Sequence, residues 1–351
     1  MEGIINTVRQ ELGKQLEYEQ QDAVMCKIPQ FSEAGIHNEF LAARDAGAGK
    51  EKDTMEVLVF NMERGVHLPE ICAYLKEHPK VSGADIILAN ELDDGCVRSG
   101  EKDTARELAK ELGYGYVYGL EFIELVNEAD PKGFHGNAVF SKWPVEEARV
   151  VRLPEEYNWY FDRQRRIGGR CAVLAVLNAD GQRIGVGSIH LENRTDGEGR
   201  RRQMQIVLQE AERMFRGMPV ILGGDLNTNT FDGRSKEDIG IIAGSPALRS
   251  RCLEDVFTYE ALLQDVRDAG YRCLPESPLI TRRKPLPDGG YLGLRLDWIM
   301  VRGFCLRESG MVSTGKEGFG FAEKTSLLRA FAGKELSDHN AVWASLENES
   351  L

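Results

Sequence analysis

The chain reads as an α/β protein with a two-layered sheet core and helices outside, and three features predict this. Short apolar runs rich in Val, Ile, Leu and Phe recur along most of its length, at strand rather than helix length. Amphipathic segments with helical spacing alternate with several of those runs. Hydrophobic residues make up 42% of 351 positions, enough for the core of one large domain whose sheets must bury their faces against something.

Residues 1–54 stand apart. Ile4, Ile5, Val8, Leu12 and Leu16 recur at helical spacing and predict a helix over 2–22, and AARDAGAGKEKD reads as a small-residue, charged linker. This segment is expected to be an N-terminal helical extension packed on a catalytic domain spanning 55–351. That domain opens with the strand MEVLVFNME, the helix LPEICAYLKEHP and the strand ADIILANELD. TARELAKELGY follows as a helix stopped by Gly113. GYVYGLEFIEL and GNAVFSKWP are strands, and NADGQ predicts a hairpin turn between 172–177 and 183–190. GRRRQMQIVLQEAERMFRG is a long helix ahead of the strand MPVILGGDLN, and LRLDWIMV and HNAVWASL complete the series.

The formal net charge of -12 disfavours tight binding of long nucleic acid, whose affinity rests on many Lys and Arg contacts to phosphate. A small or short anionic ligand remains compatible, because a bound cation reverses the local field. The seven cysteines are scattered without zinc spacing, which fits a reducing compartment. The N-terminus has no apolar signal region, and no apolar run approaches the ~18–20 residues that span a bilayer. The expectation is a cytoplasmic protein without membrane insertion.

The chemistry sits where apolar runs stop. They feed into Asn61 and Glu63 (VFNMERG), Glu91 (ANELD), His190 (GSIHLEN), Asp225 and Asn227 (GGDLNTN), Asp297 (RLDWIM), and Asp338 with His339 (ELSDHNAV). Taken singly, each is the ordinary polar end of a strand. Together they form a set of carboxylates and imidazoles on rigid supports, and so many acids share one place only around a cation. Oxygen ligands suit Mg²⁺, with Mn²⁺ able to substitute, and argue against zinc. No Ser/His/Asp elbow, P-loop or dinucleotide fingerprint competes.

The order NxE, NE, a strand-ending His, GDLN, LDW and SDHNAV resembles the endonuclease/exonuclease/phosphatase superfamily over about residues 55–347, most specifically in GGDLNT and SDHNAV. The resemblance implies a four-layer α/β sandwich, two mixed β-sheets packed face to face with helices outside. It implies Mg²⁺-dependent hydrolysis of a phosphate ester. Glu91 corresponds to the main metal carboxylate and Glu63 to a weaker one. Asn61 orients that network or touches phosphate, and Asp338 supports the metal. Asp225 becomes the general base for the attacking water, Asn227 holds a phosphate oxygen, and His339, backed by Asp297, donates to the phosphoryl group. His190 matches the second imidazole; Glu121 is either its acidic partner, as in deoxyribonuclease I-like members, or a plain solvated or salt-bridged carboxylate. FHGNAVFSKWP resembles a family strand whose His135 and Asn137 either reach substrate or serve the strand's structure, and Arg170, at the start of the CAVLAVL strand, is either a phosphate contact or half of a salt bridge.

Three basic clusters, DRQRR (162–166), GRRRQ (199–203) and TRRKP (281–285), either fork onto phosphate or form solvated faces. The aromatics of EYNWYF ahead of the first either stack a base or pack a loop. Short or single-stranded nucleic acid, an inositol or nucleotide-type small molecule, a phospholipid and modified nucleic-acid ends all remain as substrates. GGDLNTNTF lacks the Arg of the inositol phosphatase WxGDxNxR run, which weighs against that class. The rival is a non-catalytic binding module on the same fold, which would have lost Glu91, Asp225, Asn227 or His339; all four are present.

Overall fold

The computed structural model describes residues 18–42, 54–228, 236–286 and 289–348. Helix α1 (Tyr18–Met25) and strand β1 (Gly35–His37) precede β2 (Met55–Arg64), α2 (Leu68–Glu77) and β3 (Ile86–Asp94). Next come α3 (Thr104–Leu112), β4 (Gly115–Glu124), β5 (Phe134–Ser141), β6 (Val145–Arg152) and the short β7 (Arg166–Gly168). The hairpin β8 (Cys171–Ala179) and β9 (Gln182–His190) leads through α4 (Gly197–Met214) to β10 (Val220–Asp225). Four helices follow, α5 (Lys236–Gly244), α6 (Pro246–Leu253), α7 (Val256–Tyr259) and α8 (Ala261–Asp268), and then β11 (Arg272–Leu274). The chain finishes with β12 (Arg282–Pro285), β13 (Tyr291–Leu294), β14 (Asp297–Arg302), β15 (Phe304–Val312), α9 (Leu327–Phe331) and β16 (Ala341–Asn348).

One sheet has the order β1-β4-β5-β3-β2-β16-β15, with β7 also on β4; the other runs β11-β14-β10-β9-β8-β6, and β12-β13 form a separate ribbon. Each large sheet has a parallel pair at its centre, β2 with β3 and β9 with β10, while its other pairings are antiparallel. The two parallel connections pass through α2 and α4, which is how a parallel pair must be joined.

Val59, Leu88, Val117 and Val139 of the first sheet meet Val173, Val186, Ile221 and Ile299 of the second in one buried cluster. Ile71, Tyr74 and Leu108 of α2 and α3 cover the outer face of the first sheet. Met204, Val207, Leu262 and Val266 of α4 and α8 cover that of the second. Each such aliphatic side chain contributes about 1.5–3 kcal/mol when fully buried. The result is the helix–sheet–sheet–helix sandwich.

Helix α3 starts at Asp103, whose carboxylate accepts the Arg106 N–H, and stops at Gly113 with φ 71°. The helix expected over 2–22 falls mostly outside the described residues, as does the linker after residue 42. What is described of it continues to Met25. Val24, Ile28 and Phe31 pack on Leu120, Ile123, Phe134 and Ile167, and β1 adds to the edge of β4. All seven cysteines are free thiols. Among the described residues, no helix is long and apolar enough to cross a membrane.

Candidate active site

The two parallel pairs concentrate chemistry at one end of the sandwich. In register, Asp225 lies beside His190 on one flank and Asp297 on the other. Asn61 lies beside Asn90, which precedes Glu91. Because β14 and β16 run antiparallel to their neighbours, Asp297 at the start of one and His339 just before the other reach the same end. The carboxyl ends of parallel strands are where open α/β sheets bind ligands.

Local irregularity then aims the side chains. Strand pairing shifts between Asn61 and Arg64, between Ala89 and Leu92, and between Leu120 and Phe122. Each bulge falls on a carboxylate, Glu63, Glu91 or Glu121, and turns it out of the regular pleat. Glu63, Arg64, Glu91 and Asn227 adopt φ of 45°, 68°, 55° and 50°, a left-handed conformation costing roughly 1 kcal/mol or more each outside glycine. Ahead of Asp225, a Cβ on Gly224 (φ 145°) would stand 1.9 Å from the Ile189 carbonyl oxygen, so only glycine lets β10 lie this close to β9.

The cleft so framed holds about 340 Å³. Glu63, Glu91, His135, Arg170, His190, Asp225, Asn227, Asp338 and His339 line it; Asn61, Glu121, Asn137 and Asp297 do not. Three of those four serve the lining residues from behind. Buried Asn61 donates from Nδ2 to Glu91 (3.2 Å) and Asp225 (3.1 Å), while its Oδ1 accepts the Glu63 N–H (3.1 Å). Both ends of its amide are therefore engaged with the carboxylate network. Glu121 takes His190 Nδ1 at 3.1 Å, and Asp297 takes His339 Nδ1 at 2.8 Å. Asn137 is spent in the interior, accepting from Asn90 (3.0 Å) and donating to the Cys171 carbonyl (3.2 Å), so it does not reach the cleft.

The two imidazoles are arranged alike. With Nδ1–H assigned to a buried carboxylate, each turns Nε2 toward Asp225 Oδ2, at 3.6 Å from His190 and 3.7 Å from His339. Asp225 is further fixed by the Asn227 N–H on Oδ1 at 3.0 Å. Arg170 Nη1 lies 3.0 Å from His190 Nε2, the nitrogen left to accept once Nδ1–H goes to Glu121, and Arg170 pairs with Glu121 at 3.4 Å and Glu192 at 3.5 Å. His135 is held by Asp93 at 2.8 Å.

Burial disfavours a charged His339, yet Asp297 above all, with Asp225 and Asp338, lifts its pKa to about 9. Arg282 complicates this corner. Its Nε lies 2.9 Å from His339 Nε2 while its Nη2 pairs with Asp338. Two N–H groups cannot both donate, so the Arg282–His339 contact exists only while that nitrogen is unprotonated. Proton uptake by His339 leaves Arg282 to Asp338.

Glu63 is pushed up by burial and then by the charges of Asp338 and Glu91. Burial also opposes ionisation of Glu91, but His135, His190, Arg64 and His339 hold it well below the usual carboxylate range. Glu63, Glu91 and Asp338 thus line the cleft as hard oxygen donors, Glu63 repelled by the other two, and donors of this type suit a divalent cation. Asp225, Asp297 and His339 also bring ligand atoms within 4.8 Å of one another. In that trio the His339–Asp297 bond uses His339 Nδ1 and Asp297 Oδ2, Asp297 Oδ1 has no hydrogen-bond partner among the described residues, and Asp297 does not line the cleft.

Arg64, Asn193 and Arg194 line the cleft and escaped the sequence reading; Trp159, Gln164, Arg166, Arg282 and Lys284, from the aromatic and basic segments already singled out, line it too. Glu192, two residues past His190, takes the Trp159 indole N–H at 2.8 Å, and its place in SIHLEN was the signal that marked it. GRRRQ lies away from the cleft: Arg200 pairs with buried Glu260, Arg201 with Asp265 and Arg202 with Glu156. Its charges hold α4 in place. TRRKP and DRQRR do reach the site, through Arg282, Lys284, Gln164 and Arg166.

Known proteins share this architecture. An endonuclease/exonuclease/phosphatase from Beutenbergia cavernae DSM 12333 superposes with a TM-score of 0.56 at 18% identity, covering 85% of this chain and 72% of that one. A family protein from Bacteroides thetaiotaomicron gives 0.54 at 15% identity over 85% and 98%. D. rerio TDP2 complexed with a single-strand DNA product gives 0.50 at 15% identity over 84% and 99%. These likenesses establish the fold. No curated protein matches the chain. The profile of the Endonuclease/Exonuclease/phosphatase family matches residues 58–339, well over half of the sequence. The chain belongs to the endonuclease/exonuclease/phosphatase family, whose members are generally hydrolases acting on phosphate esters.

Proposed function

We propose that this protein hydrolyses a phosphate ester of small size or short length, with Asp225 deprotonating the attacking water. The observation that carries this is the convergence of His190 and His339 on one Asp225 oxygen, at 3.6 and 3.7 Å, beside an acidic set suited to a divalent cation. Asp225 is positioned as a base by Asn61 and the Asn227 backbone. His339, carrying a proton near neutral pH, donates to the phosphoryl oxygen, and Asp297 holds its ring through the transfer. His190 and Asn227 bind further oxygens, and Arg170 places positive charge beside them. Glu63, Glu91 and Asp338 would hold Mg²⁺ or Mn²⁺, which polarises the phosphate and offsets the charge that develops on its oxygens.

The cleft's volume suits a small molecule or a few nucleotides. The single-strand DNA product on D. rerio TDP2 supports a nucleotide-type substrate on this fold. Free thiols throughout support a reducing, cytoplasmic setting. The test is hydrolysis of bis-p-nitrophenyl phosphate and p-nitrophenyl phosphate with Mg²⁺ or Mn²⁺, with and without EDTA, for the wild type and Asp225→Asn. Metal-dependent turnover lost in the variant is expected. No turnover by either the wild type or the variant on both probes would leave a binding module.

A further inference from the structure

Beyond the imidazole pair and Arg170, the cleft continues along a second cationic wall that the proposed chemistry does not use. Arg170 stands against His190, and Arg166 lies one side chain farther out: its guanidinium sits 3.8 Å over both Phe122 and Trp159, rings that Arg170 approaches at 5.4 and 6.0 Å. Arg166 lines the cleft although only 6% of its surface is exposed. So deep an arginine ordinarily requires a close carboxylate, since an unpaired buried charge costs several kcal/mol. Its acid here is Glu124 at 3.7 Å, and that acid already takes Arg98 at 3.2 Å. Arg166 Nε finds no hydrogen-bond partner among the described residues. Burial, with Arg170 close by, lowers its pKa to about 10 against the pull of Glu124, Glu192 and Glu121.

The surroundings fix what can bind there. Trp159 is 3% exposed, its indole N–H is taken by Glu192, and Arg166 covers a ring face, so the ring is a wall and not a platform for stacking a base. Gln164 and Arg194 line the same end, with Arg194 over Trp159 at 5.6 Å. Planar guanidinium forks held rigidly by aromatic faces match the oxygens of a tetrahedral anion.

We propose that Arg166, with Arg194 and Gln164, forms a second anion subsite, so that the preferred substrate carries a further phosphate beside the one that is hydrolysed. The claim rests on the phosphoesterase reading for the Asp225 centre but concerns a different part of the cleft. That further phosphate comes either from a small bisphosphorylated molecule or from the flanking diester of a short oligonucleotide.

The experiment is calorimetric binding of thymidine 3′,5′-bisphosphate and thymidine 5′-phosphate in Ca²⁺, which needs no turnover, so it stands even if no hydrolysis is found. In the wild type the bisphosphate is expected to bind about tenfold tighter or more, as a charge-assisted fork to phosphate allows. In Arg166→Gln the ratio should fall to about one or two. Arg166→Lys, which keeps the charge and loses the fork, should retain part of it, and it carries the test if the Gln variant melts early. A trithymidylate without terminal phosphates separates the sources. Gain there that depends on Arg166 assigns the subsite to a flanking diester, and gain only with the terminal phosphate assigns it to a small bisphosphate. Equal wild-type affinities across all three ligands, or an unchanged ratio in folded Arg166→Gln and Arg166→Lys, would overturn the proposal.

Discussion

His339 and Asp297 are joined Nδ1 to Oδ2 at 2.8 Å, although one precedes β16 in the first sheet and the other begins β14 in the second. The bond therefore crosses the sandwich at the cleft floor and ties proton chemistry to sheet packing. Replacing Asp297 by Asn removes the charge that chiefly raises His339 while keeping the shape. Activity on a phosphate-ester probe should fall by roughly 10²-fold or more, with the fold retained by circular dichroism. The alkaline limb of the kcat profile should move to lower pH, since His339 would lose its proton earlier. A limb that stays in place would remove His339 as the acid.

Glu121 gives a prediction with the opposite pH sense. Burial raises it, but His190 and Arg170 outweigh burial and hold it at about 2, against an ordinary value of 4.5. A depressed carboxylate stabilises the native state above its unfolded pKa, and that stability is lost as pH falls through the folded value. The wild type should thus exceed Glu121→Gln by on the order of 3 kcal/mol above pH 4.5, the gap closing toward pH 2. Urea unfolding of both proteins between pH 2 and 6 measures it; a gap constant with pH would mean the cavity contact matters and the charge does not.

These two pairs also show what a sequence reveals. Asp225, His190 and Glu91 were legible because each ends an apolar run abruptly, and a strand end on a parallel pair faces the cleft. For Asn61 the resemblance offered two roles, orienting the carboxylates or touching phosphate; the choice between them depends on a register shift between Asn61 and Arg64 that no local pattern announces. His135 and Asn137 look equivalent at a spacing of two. Only the first reaches the cleft, since the second meets Asn90 beneath it. The partners of the three arginines in GRRRQ come from residues 156, 260 and 265, so their structural use was invisible locally.

That cluster yields a contrast in stability. The Arg200–Glu260 pair is buried, and removing one partner strands the other's charge. Arg200→Met should cost about 3 kcal/mol or more in urea unfolding. Arg202 is exposed and its bond to Glu156 is solvent-screened, so Arg202→Ala should leave the melting temperature essentially where it was. If instead Arg202→Ala weakened binding of thymidine 5′-phosphate, this face would belong to the substrate path after all.

The repulsion of Glu63 by Asp338 and Glu91 makes the last prediction, because a cation that relieves it must stabilise the fold. Ligand binding to the native state alone adds about 2.7 kcal/mol at a concentration 100-fold above Kd, so Mg²⁺ should raise the wild-type melting temperature and EDTA should reverse the rise. The two candidate ion sites respond differently to substitution. Glu91→Gln takes a charge from the cleft-facing set and should abolish most of the Mg²⁺ effect. Asp297→Asn takes one from the Asp225–Asp297–His339 trio, at the member that stands behind the cleft, and should leave the effect largely intact. The reverse pattern would move the ion onto the trio and make His339 a ligand instead of an acid, which the short bond to Asp297 argues against. Glu63→Gln should weaken the effect less than Glu91→Gln, since Glu63 is the carboxylate whose charge its neighbours disfavour.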